Sequence, residues 1–95
     1  MDVQRKLSQL VKLIAPSTAS FYNINVASNE ILDILQSPSR SVPRLESVLY
    51  RMKSKLGITT QDEPVWKVFE NALYPLIGMT EPQEMIHYLN QNYNI

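Results

Sequence analysis

The chain contains no cysteine, which rules out both disulfide stapling and thiolate metal ligation. Histidine occurs once, as His87, so a two-histidine zinc motif cannot be assembled. Gly57 and Gly78 are the only glycines, and both stand where helices should stop. A phosphate-cradling loop needs several glycines for close backbone approach, so P-loop and Rossmann sites are absent. No apolar run approaches the roughly 18 residues of a membrane span. The opening stretch "MDVQRKLSQLVKLIAPSTAS" has the basic, apolar, small order of a signal peptide, but Ser8, Gln9 and Lys12 interrupt it. Val3, Leu7, Leu10, Val11 and Ile14 read instead as one face of a helix.

The 95 residues suit one small domain spanning 1–95. At 44% hydrophobic and 19% charged residues, the composition is that of a globular chain rather than a disordered one. With no crosslink available, stability must come from apolar burial or from association with another chain.

Local chemistry predicts helices and their ends. The first helix covers 2–14 and stops before Pro16. A second runs from about Ser17 or Ser20 to Gln36, either continuous or broken near Ser28. Phe21, Ile24, Ile31, Ile34 and Leu35 share its apolar face. The alternation in "FYNINV" also fits a strand, but no second strand-like run exists to pair with it. "SPSRS" at 37–41 is a loop. The third helix is the best punctuated: Ser41 or Val42 at the cap, Pro43 in the first turn, and Gly57 past the end. Leu45, Val48, Leu49, Met52 and Leu56 make its apolar face. Thr60 with Glu63 has capping-box spacing for a fourth helix, and Asp62 is an equally good start. Val65, Val68, Phe69, Ala72, Leu73 and Leu76 form its stripe, Trp66 lies beside it, and Pro75 ends or kinks it. Thr80, Pro82 and Gln83 open a last helix with Met85, Ile86, Leu89 and Tyr93 as its stripe. The expected fold is all-α, a bundle of four to five short helices.

Catalytic parts are scarce. His87 points away from the last apolar stripe, without a positioned partner for general-base chemistry. Asp62, Glu63, Glu81 and Glu84 sit at helix starts, where the macrodipole accounts for them. A non-enzymatic protein without cofactor or metal is therefore expected.

Surfaces remain. Formal net charge is zero, yet residues 39–57 hold five of the nine Lys and Arg. Residues 1–56 carry eight basic and four acidic residues, and residues 57–95 one basic and five acidic. At 100° per residue, Arg44, Arg51 and Lys55 fall in a stripe about 40° wide, with Ser47 and Ser54 on the next sector. Such a stripe suits a phosphate backbone, an acidic partner, or the chain's own acidic half. Tyr50 and Tyr74 point away from their helices' apolar stripes, and Trp66 is either a core residue or an interface anchor.

The segment "EILDILQSPSRSVPRLESVL", followed by "RMKSKLGI", resembles a helix-turn-helix of the bacterial regulator type over residues 30–58. It departs from that pattern at Leu32, Ser37 and Pro43. The resemblance implies Arg44, Ser47 and Arg51 facing DNA. The leading expectation is a cytoplasmic protein-binding module, adaptor or regulatory, that also self-associates in one version. Its candidate contact residues are Arg44, Ser47, Tyr50, Arg51, Lys55 and Trp66. A DNA-binding regulator is the alternative, and a structural subunit of a larger assembly, viral in one version, is the second. No membrane partner is expected.

Overall fold

A computed structural model describes residues 3–93. Five α-helices, the fourth of them flanked at both ends by a 3-10 turn, surround one shared core, and no strand occurs among the described residues. The expected all-α bundle is therefore the fold.

Helix α1 (Val3–Ile14) buries Val3, Leu7, Leu10 and Val11 at helical spacing. Lys6 is buried with them, and its ammonium donates to Asn90 Oδ1 at 3.1 Å. The start expected at residue 2 lies outside the described residues. Helix α2 (Phe21–Gln36) begins where Ser20 Oγ accepts the Asn23 N–H at 3.1 Å, satisfying an orphan donor of the first turn. "FYNINV" is thus helical, because Ile24, Ala27, Ile31 and Leu35 all reach the core only at that period. The helix runs unbroken through Ser28, whose buried hydroxyl donates to the Ile24 carbonyl at 2.8 Å. Phe21, expected on the apolar face, is 71% exposed because it opens the helix beyond its neighbours. The Lys12 ammonium lies 5.2 Å from its ring centroid.

Helix α3 (Val42–Leu56) buries all five residues of its expected stripe. Ser41 caps it and Pro43 occupies the first turn. Gly57 adopts φ 72°, a left-handed conformation that glycine takes without a Cβ penalty. The Gly57 N–H reaches the Ser54 carbonyl at 3.3 Å and the Ile58 N–H the Lys53 carbonyl at 2.9 Å, which together make a Schellman motif.

Of the two expected starts for the fourth helix, Asp62 holds the N-cap position, while the capping box is displaced by one residue from Thr60 with Glu63. Thr59, not Thr60, meets its partner three residues on: its N–H and hydroxyl both donate to Asp62 Oδ2, at 2.8 and 2.9 Å. The Glu63 carboxylate meets Lys53 instead. A 3-10 turn over Thr60–Asp62 leads into α4 (Glu63–Leu73). Its buried stripe is Trp66, Phe69, Ala72 and Leu73. Val65 and Val68 were expected inside but are 50% and 59% exposed. The helix is rotated so that the larger indole, 1% exposed, takes the core position. Trp66 and Phe69 pack with their rings tilted by 45° and their centroids 5.1 Å apart. Pro75 ends α4 and the chain continues as a 3-10 turn, Tyr74–Gly78. Helix α5 (Pro82–Tyr93) buries Met85 and Leu89. Tyr88 donates its hydroxyl to the Ala72 carbonyl at 3.0 Å, tying α5 to α4. Helix α1 touches α2, α4 and α5, and α2 touches α3.

Candidate functional site

Helix α3 places the basic residues on its outer side, and the structure shows how each is held. Arg51 Nη2 lies 3.9 Å from Glu30 Oε2, and Lys55 Nζ lies 2.9 Å from Glu30 Oε1. One carboxylate of α2 thus serves two stripe residues one turn apart. The chain's acidic half is not their partner; it meets Lys53 instead, through Glu63. Arg44 donates to Ser39 Oγ. Arg40 caps α2 by donating from Nη1 to the Leu35 carbonyl at 3.1 Å, which removes it from the stripe. Ser47 is exposed. Trp66 lies in the core, so it offers no surface to a partner and leaves the set of candidate contact residues. The stripe that remains is exposed but partly neutralised from within.

Tyr50 faces a different neighbourhood. It is 81% exposed, more than any other large hydrophobic side chain among the described residues. Together with Glu46, Leu49 and Lys53 of α3, and Glu70 and Tyr74 at the end of α4, it lines a groove of about 240 Å³. That volume is below the roughly 300–1,000 Å³ of small-molecule sites and suits one long side chain. Lys53 also meets Glu63, at the start of α4, and shares the groove lining with Glu46, Glu70 and Tyr74. Lys53 is occupied by Glu63, and neither Glu46 nor Glu70 forms an ion pair among the described residues. Burial raises the Tyr74 hydroxyl above its ordinary pKa, with Glu70 and then Glu46 adding repulsion of the phenolate. Both carboxylates act on the same hydroxyl.

Glu46, Glu70 and Tyr74 lie outside the residues singled out as contacts from sequence. A signal for them exists: "ESVLY" at 46–50 and "ENALY" at 70–74 are two copies of E-x-x-L-Y. In each, the third and fourth residues enter the core (Val48 and Leu49, Ala72 and Leu73). The first and fifth, one helical turn apart, line the groove.

Elsewhere, a second recess of about 450 Å³ lies between the start of α1, the end of α2 and the start of α5. Its lining includes Val3, Leu32 and Ile86 with Gln4, Gln36 and Gln83, and no charged group among the described residues. Among the described residues no three acidic or histidine side chains are grouped to hold a metal ion, and no helix is long and apolar enough to cross a membrane. No protein-family model, curated protein or solved structure matches the chain.

Proposed function

We propose that this chain is a non-enzymatic helical module that acts by recognising another protein, as an adaptor or regulatory subunit, through the face centred on Tyr50. The observation that carries this reading is the 81% exposure of Tyr50 beside a groove with uncompensated carboxylates. Exposed aromatic side chains at the edge of a pocket are the usual anchors of protein interfaces. The pairing of Arg51 and Lys55 with Glu30 favours this reading over a DNA-binding regulator. A phosphate-binding face gains affinity from cations free to displace counterions.

The test compares the wild-type chain and Tyr50→Ala as baits in nuclease-treated extract of the source cells. A stoichiometric protein partner held by the wild type and lost by Tyr50→Ala is the expected result. Capture that disappears on nuclease treatment, or that is indifferent to Tyr50→Ala, contradicts it. Light scattering over a wide concentration range separates self-association from binding to a different protein.

A further inference from the structure

We infer that the α3–α4 groove is a receptor for an arginine side chain of the partner protein, held between the Tyr50 and Tyr74 rings and the Glu46 and Glu70 carboxylates. The inference rests on the protein-recognition reading and specifies its chemistry.

The groove presents two kinds of group that favour one kind of ligand. Tyrosine faces carry negative electrostatic potential and attract cations that lie over them. Carboxylates accept charge-assisted hydrogen bonds. Glu46 and Tyr50 come from one turn of α3, and Glu70 and Tyr74 from one turn at the end of α4, so each wall supplies one of each. The charged groups at the groove are Glu46, Glu70 and Lys53, with Glu63 behind Lys53. Three carboxylates against one ammonium leave the groove negative, and the ammonium is engaged at its end. A cation entering beside Tyr74 also relieves the repulsion that both glutamates exert on that hydroxyl.

The guanidinium is favoured over an ammonium on geometry. It is planar, so it stacks on a tyrosine ring while its edge N–H groups reach carboxylates on either side. It is also the more weakly hydrated cation and loses less on entering a partly closed groove. The groove volume, about 240 Å³, admits one such side chain.

The test uses a short glycine–serine peptide with a single central arginine, titrated into the full chain and followed by amide and tyrosine-ring NMR shifts. Expected are saturable shifts concentrated at Glu46, Leu49, Tyr50, Glu70 and Tyr74. The same peptide with citrulline, which keeps the shape and loses the charge, should leave those signals in place. The double variant Glu46→Gln/Glu70→Gln should bind at least about tenfold more weakly, and a thermal melt like the wild type's shows that it is folded. Shifts that scatter over the basic stripe, that citrulline reproduces, or that survive the double variant overturn the inference. So does concentration-dependent dimerisation abolished by the double variant, which would assign the groove to a second copy of the chain. If the peptide fails while Tyr50→Ala still loses a captured protein, the groove chemistry is wrong and the recognition reading stands.

Discussion

Replacing Glu30 with glutamine removes the anion that α3's basic stripe leans on. The Glu30 side chain is 26% exposed, while those of Arg51 and Lys55 are 59% and 42% exposed. Exposed pairs of this kind contribute about 0.2–1 kcal/mol each once solvent screening and side-chain entropy are counted. The Lys55 contact at 2.9 Å is a hydrogen-bonded ion pair, and the Arg51 contact at 3.9 Å lies beyond hydrogen-bond reach. Most of the coupling should therefore reside in Lys55. The expected loss for Glu30→Gln is about 1 kcal/mol in urea unfolding, or roughly 4–8 °C in melting temperature for a domain of this size. Double-mutant cycles with Lys55→Gln and Arg51→Gln apportion it. Raising the salt concentration should shrink the difference, because these charges are within reach of counterions. A coupling to Arg51 equal to that of Lys55, or a loss unchanged at high salt, refutes the reasoning. The same variant bears on nucleic acid. Were the stripe a DNA face, freeing Arg51 and Lys55 would tighten DNA binding at low salt; the protein-recognition reading expects none from either form.

Other positions give separable outcomes. Gly57→Ala should cost about 1 kcal/mol, because φ 72° is strained for any residue with a Cβ even though open space surrounds it. Gly78→Ala, in equally open space and without a positive φ, should be neutral or stabilising, and chemical denaturation distinguishes the two. Hydrogen bonds from the Thr59 N–H and then its hydroxyl hold Asp62 below its ordinary value of 3.8. Its contribution is fully present above that pH and is lost as pH falls through the folded-state value. Melts followed by circular dichroism should therefore show Asp62→Asn and the wild type converging in acid. Tyr74 is raised above 10.0, so its contribution holds below that pH and disappears as pH rises through the folded value. Glu70→Gln should bring the Tyr74 phenolate absorbance step back toward its ordinary position.

Much of the architecture was legible because the decisive chemistry is local. Ser20, Ser41 and Gly57 each act within a turn of their own position, and the five apolar residues of α3 repeat at one period. Misreadings came where neighbours compete. Thr59 and Thr60 precede Asp62 and Glu63 with identical spacing, and in the fold Thr59 pairs with Asp62 while Glu63 turns to Lys53. Val65, Val68 and Trp66 are all apolar, and the choice of which face turns inward depends on the volume the other helices leave. The stripe of Arg44, Arg51 and Lys55 was readable from one helix, but its carboxylate partner stands on another. The groove has the same character: each E-x-x-L-Y segment is ordinary alone, and only the tertiary fold sets the two across one groove.

That opposition has a directional consequence. The two segments are not equivalent across the groove: Tyr50 is 81% exposed, whereas Tyr74 is partly buried and both glutamates act on its hydroxyl. A side chain entering the groove would therefore meet different contacts according to the direction from which its chain approaches. The Lys53–Glu63 ion pair is a second mark of direction along the same pair of helices.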